Sequence, residues 1–170
     1  MDTNKNHPGL LISFDGIDSS GKETQARLFA EKLKKNGHLI SCFTTPDYTS
    51  ESGQRIKALF QGTNGSWDDL TWQEQTALIA SNRAEHRQEV IDTLDQGGIV
   101  VYDRYVPSSL AHMTVNALAP EEIGQKREQI IAVVSQLEYV TNGMPRDCLL
   151  YTSPSPRDLS TSRMPSSAWK

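Results

Sequence analysis

The sequence predicts an α/β fold, a parallel sheet with helices on both faces. Three observations carry that expectation. Short, nearly continuous apolar runs at residues 10–14, 38–43 and 99–102 have the length and composition of buried strands. Between them, apolar residues recur at helical spacing over segments long enough for crossover helices. Glycines stand where these segments change type, at Gly16, Gly21, Gly37 and Gly97-Gly98. A length of 170 residues suits one domain of this class.

Each element follows in order. Leu10-Leu11-Ile12-Ser13-Phe14 is the first strand, ending at Asp15-Gly16 in a loop that runs to Gly21. Ala26, Phe29, Ala30 and Leu33 then give a helix one apolar stripe, with Lys34-Lys35 in its last turn and Gly37 stopping it. Residues 38–43 are the second strand, 44–52 a loop holding Pro46, and 54–60 a short helix. One long helix is expected over 68–95, striped by Leu70, Ala77, Ala80, Ala84, Ile91 and Leu94. Asp68-Asp69 suit its start and Gly97-Gly98 its end. Residues 99–102 are the third strand. The last helix opens at Pro120 with Glu121 and Glu122 in its first turn, and Ile123, Ile130, Val134 and Leu137 line one side.

Composition removes several function classes. Lys and Arg total 17 against 21 Asp and Glu, a net charge of -4, which argues against a nucleic-acid partner held on a broad basic surface. No apolar run reaches the ~18 residues of a membrane span, and the N-terminus lacks a signal-peptide stretch. Cys42 and Cys148 are too few for a disulfide scaffold or a structural zinc site. The expectation is a cytoplasmic protein with no membrane partner. Residues 151–170 differ from the rest: 11 of these 20 are Ser, Thr or Pro, and no periodicity survives. A disordered tail is one reading. The string CLLYTSPSPRD with SRMPSSA also resembles a translated sequencing-adapter read-through. On that reading residues 1–146 are an incomplete domain lacking its C-terminal part, and 147–170 are a non-native or disordered tail. Residues 148–151 would still pass as a strand beside the first.

The strongest chemical signal is Gly16-Ile17-Asp18-Ser19-Ser20-Gly21-Lys22, which fits G-x-x-x-x-G-K between a strand and a helix. Glycines let successive backbone amides turn inward around a phosphate, the helix adds its positive N-terminal end, and Lys22 reaches the outer phosphates. The residue after Lys22 is commonly Ser or Thr, whose hydroxyl helps hold Mg2+; here it is Glu23, with Thr24 next. The second signal is Asp103-Arg104 at the C-terminal end of the third strand, the edge where open α/β sheets gather ligands. A carboxylate there can bind Mg2+, and an arginine can fork across two phosphate oxygens. Whether Thr24 or Asp103 orders the metal is open at this level, and a strand-ending salt bridge is the alternative for Asp103-Arg104.

These segments resemble the thymidylate kinase family, the P-loop enzymes that phosphorylate dTMP with ATP. The resemblance runs from Leu10 to about Arg146 through FDGIDSSGKETQ, the loop around TTPDY, ASNRAEH and VYDRYVPSSLAH, of which the first and last are the more specific. It implies an ATP site at Gly16, Ile17, Asp18, Ser19, Ser20, Gly21, Lys22, Glu23 and Thr24. It also implies catalytic roles for Lys22, Asp18 and Arg104, with Asp18 near the dTMP sugar and acceptor phosphate. Arg83 would hydrogen-bond the thymine, and Asp103, Tyr105, Ser108, Ser109 and His112 would complete the acceptor site. Mg2+ as cofactor and a homodimer packed through helices, the 68–95 segment among them, are further implications. Three departures stand out. Thr44-Thr45-Pro46-Asp47 carries no phosphate-gripping arginine, so Asp47 must point away from a phosphate or be neutralised by a neighbour. Ile79 stands where an aromatic stacks on thymine. The arginine-rich lid that meets transition-state charge would follow residue 146, so this chain by itself is expected to be inactive. The competing readings are a deoxynucleoside kinase of related fold and a nucleotide-binding module without turnover.

Overall fold

Residues 9–116 and 123–151 are described in a computed structural model of the chain. Strands β1 (Leu10–Asp15), β2 (Ile40–Thr44), β3 (Ile99–Asp103) and β4 (Cys148–Tyr151) form one parallel sheet in the order β2-β3-β1-β4. β1 is central, and Leu11, Ile12, Ser13 and Phe14 are all buried, as an unbroken apolar run requires. β2 lies at the edge. It starts later than expected because the chain enters the ladder only where Ile40 pairs with Ile99, leaving Leu39 exposed. β4 pairs with β1, as the reading of residues 148–151 as a strand beside the first expects, and Asp147 accepts a 2.5 Å hydrogen bond from Ser13. Residues 152–170, and with them the expectations about the tail, lie outside the described residues.

The alternation of side chains along the strands divides the core. Leu11, Val100 and Tyr102 face α4 (Arg87–Asp95), α5 (Val106–Asn116) and α6 (Ile123–Ser135), packing with Val90, Val106, Met113, Ile130 and Val134. Ile12, Phe14, Ile40 and Val101 face α1 (Lys22–Lys35) through Ala26 and Ala30. Each fully buried Val or Ile on these faces contributes roughly 1.5–3 kcal/mol relative to leaving it exposed. α2 (Glu51–Phe60) begins earlier than its apolar residues suggest, because the Ser50 hydroxyl accepts from the Gly53 amide and caps it. Among the described residues, no helix is long and apolar enough to cross a membrane.

One helical expectation needs correction. The single helix over 68–95 is a 3-10 turn at Trp67–Asp69, then α3 (Trp72–Ala84), then α4. A capping box starts α3: the Thr71 hydroxyl accepts from the Glu74 amide and the Glu74 carboxylate accepts from the Thr71 amide. The break at 85–86 is a tightened turn in which the His86 amide donates to the Arg83 carbonyl, while the His86 ring is drawn to Asp47. Helix α5 follows β3 directly after the turn at Arg104. Its start is capped from a distance: Asp15 Oδ1 accepts from the Tyr105 amide (3.1 Å), the Ser108 amide (3.0 Å) and the Ser108 hydroxyl (2.5 Å). The expected opening of the last helix at Pro120 lies outside the described residues; α6 is seen from Ile123.

This cap makes a direct prediction. Asp15→Ala removes all three bonds and should cost about 1–2 kcal/mol in a denaturant titration, with Asp15→Asn losing less because it keeps an acceptor.

Candidate active site

The loop between β1 and α1 has the backbone its motif requires. Gly21, at φ 85°, caps α1 in the left-handed region that favours glycine, and Ser19 adopts φ 59°. Gly16, Ile17, Asp18 and Ser19 are exposed, so the loop lies open to a ligand. Lys22 is buried, and its ammonium folds back to donate to the Ile17 carbonyl and, at 3.5 Å, to the Ser20 hydroxyl. Burial lowers its pKa, with the Arg104 cation adding to the effect and Asp103, Asp18 and Asp15 opposing it. Glu23 and Thr24 occupy the exposed first turn of α1.

At the end of β3, Asp103 keeps one buried carboxylate oxygen, Oδ1, without a hydrogen-bond partner among the described residues. Burial raises its pKa against the pull of Arg104 and Lys22. An orphaned carboxylate oxygen beside a phosphate loop fits a hard, oxygen-liganded cation such as Mg2+. Arg104 follows in the left-handed region, φ 67°, a conformation that costs a non-glycine residue about 1–2 kcal/mol. Its amide is held by the Phe14 carbonyl at 3.1 Å, and its guanidinium pairs with Asp18.

Asp18 and Arg104 also border a cavity of about 360 Å³. Gln75, Ile79 and Arg83 line it at four-residue spacing along α3, and Ser108, Ser109, His112 and Met113 line it from α5. Thr45, Pro46 and Tyr48 come from the loop after β2; Phe60 and Trp67, whose ring centroids are 4.5 Å apart, close an aromatic side. Arg83 is almost wholly buried; it pairs with Glu138 and donates to the Ser109 hydroxyl at 3.1 Å. Ile79 faces the cavity, and His112 stands exposed at it. Tyr105 is not among the residues lining this cavity. Its fully buried ring lies 5.2 Å from the Arg83 guanidinium and its hydroxyl donates to the Pro145 carbonyl, so it supports Arg83 from the core.

Asp47 is engaged by its neighbours. Its carboxylate accepts from the Thr49 amide (2.9 Å) and hydroxyl (2.7 Å) and lies 3.0 Å from the His86 ring; Asn82 holds its backbone. The Thr49 hydroxyl and amide, then His86, hold its pKa below the ordinary value. A depressed carboxyl adds stability above its unfolded-state pKa, and that increment is lost as pH falls through the lower folded value. Asp47→Asn should therefore cost about 1 kcal/mol at neutral pH and little once the wild-type carboxyl is protonated, a convergence that urea titrations across the acid range would reveal.

Sequence reasoning did not name Phe60, Trp67, Gln75 or Glu138. The helical spacing from Arg83 back through Ile79 reaches Gln75 and could have found it; the aromatic pair and Glu138 sit on segments without a motif.

Comparison with known proteins agrees with this geometry. The family model described as thymidylate kinase matches residues 14–132. A thymidylate kinase of Bifidobacterium longum is 34% identical over 117 residues, covering 68% of this chain and 57% of that protein. A probable thymidylate kinase of Pyrococcus abyssi is 34% identical over 119 residues, covering 69% and 58%. The chain thus spans little more than half the length of these curated relatives. A solved thymidylate kinase from Candida albicans superposes with a TM-score of 0.65 at 26% identity, covering 92% of this chain and 68% of that one. A second, from Ehrlichia chaffeensis, has a TM-score of 0.63 at 22% identity, over 91% and 82%, and shares the fold. A phosphate loop on β1, a strained arginine after β3 and a cavity joining them thus agree with the match over most of the chain: it belongs to the thymidylate kinase family.

Proposed function

We propose that the protein transfers the γ-phosphoryl group of ATP to the 5′-phosphate of dTMP. The observation that supports this best is the position of Asp18, which belongs to the phosphate loop and also lines the cavity, so donor and acceptor sites share a boundary. The loop amides and Lys22 hold the ATP phosphates, with the ammonium moving off the Ile17 carbonyl as they bind. The dTMP base sits against Ile79, Arg83 and Ser109, and its phosphate points to Arg104. Arg104 exchanges Asp18 for the phosphate and bridges acceptor and transferring oxygens. Phosphoryl transfer depends chiefly on such positioning and charge stabilisation. Mg2+, when bound, neutralises phosphate charge; Asp103 and Thr24 are the residues that would hold it. A cytoplasmic homodimer packed through helices belongs to the same proposal on family resemblance, and sedimentation tests the dimer.

ADP release measured with dTMP, thymidine and other deoxynucleoside monophosphates tests the reading. Turnover restricted to dTMP supports it. Turnover of thymidine but not dTMP would replace it with a deoxynucleoside kinase, and binding of ATP and dTMP without ADP release would leave a nucleotide-binding module.

A further inference from the structure

Two arginines border the cavity, and their partners differ sharply. Arg104 pairs with Asp18, whose side chain is 79% exposed, so water and ligand oxygens compete for that contact. Arg83 pairs with Glu138, and both side chains are shut off from solvent, at 1% and 0% exposure. A buried pair of this kind does not separate without leaving an uncompensated charge in the protein interior. Arg104 is therefore free to exchange its carboxylate for a phosphate, whereas Arg83 keeps its own.

Glu138 is held where it can do this. It lies in a π-helical turn, Gln136–Thr141, that follows α6. The turn is tied to α3 by the Asn142 side chain, which donates to the Ala80 carbonyl at 3.1 Å, and its end is closed by the Met144 amide on the Glu138 carbonyl at 3.0 Å. Single π-helical turns of this sort are frequent at functional sites. Ser109 takes a second corner of the guanidinium and the Tyr105 ring lies beside it. Glu138 lies beyond the segment matched by the family model, which ends at residue 132.

We propose that Glu138 is a positioning residue: by orienting Arg83 and cancelling its charge, it makes that end of the cavity a site for the uncharged, polar edge of a nucleobase and leaves the phosphate to Arg104. The inference rests on the dTMP reading above and specifies which end of the cavity takes which part of the nucleotide.

Calorimetric titration of the full chain tests it with three ligands: dTMP, 2-deoxyribose 5-phosphate and a non-hydrolysable ATP analogue. Glu138→Gln keeps the shape but not the charge, and should weaken dTMP about tenfold or more while the other two Kd values stay within about twofold. Where Glu138→Gln does not fold, Glu138→Asp carries the same comparison, with the dTMP preference over the base-less sugar phosphate falling less far. Equal weakening of dTMP and 2-deoxyribose 5-phosphate, or unchanged dTMP binding, overturns the proposal for Glu138 while leaving the dTMP reading intact. Failure of the unsubstituted chain to bind dTMP overturns both.

Discussion

In the whole protein to which this chain belongs, Lys22→Ala should lower kcat/KM for ATP-dependent phosphorylation of dTMP by about 10²–10³ or more, with the thermal transition nearly unchanged. The two halves of this expectation have separate causes. In the resting loop the ammonium is buried against the Ile17 carbonyl and the Ser20 hydroxyl, and its pKa is lowered by that burial. Taking a charge out of water offsets most of what those hydrogen bonds contribute, so removing the side chain costs little folding energy. In the proposed transfer the same charge would face phosphate oxygens, where a fixed cation is worth far more than in the resting loop. Steady-state kinetics with a melting curve on the same sample reads both. Wild-type turnover in the variant would remove the loop from the mechanism.

The second large effect falls on stability. Arg83→Met should destabilise the protein by about 3–5 kcal/mol, because Glu138 is left charged, buried and alone. For a chain of this size each kcal/mol lowers Tm by about 2–4 °C, so the shift is easily measured. Arg83→Met combined with Glu138→Leu should recover much of that loss, since a buried pair can be replaced by apolar side chains at little cost. Binding of dTMP should not recover, because the guanidinium proposed to meet the base is still absent. A double variant regaining both stability and dTMP affinity would make Arg83 a structural partner only.

Much of this was readable before any coordinates, and the reasons are local. The β1 run, the glycine-punctuated loop and the β3 run ending in Asp103-Arg104 each carry their signal within a few consecutive residues. What escaped depends on contacts between distant segments. The start of α5 is fixed by Asp15, which reaches across from β1 to cap it. The stripe through 68–95 suggests one helix, but the face of α3 that is buried carries Thr76, Asn82 and Arg83, because it looks onto the cavity and the loop at Asp47 rather than onto an apolar layer. Glu138 is a single carboxylate in an apolar-looking stretch, and only the folded chain brings it to Arg83. Tyr105, implied at the ligand by the family resemblance, lies buried beside the Arg83 guanidinium.

The central place of β1 also has a consequence for how the molecule comes to be folded. Both neighbours of this strand arrive from far along the chain: Leu10 pairs with Ile99, and Ile12 with Cys148. Such pairings bring widely separated residues together, and loop-closure entropy must be overcome before they give anything back, which makes folding slow. The phosphate loop hangs from the end of β1, so its amides cannot be aligned until β3 is in place. During synthesis β1 emerges before either of its neighbours and waits for both. Until then, Leu11, Ile12 and Phe14 remain an apolar strand in search of a partner, the stretch a chaperone would be expected to hold.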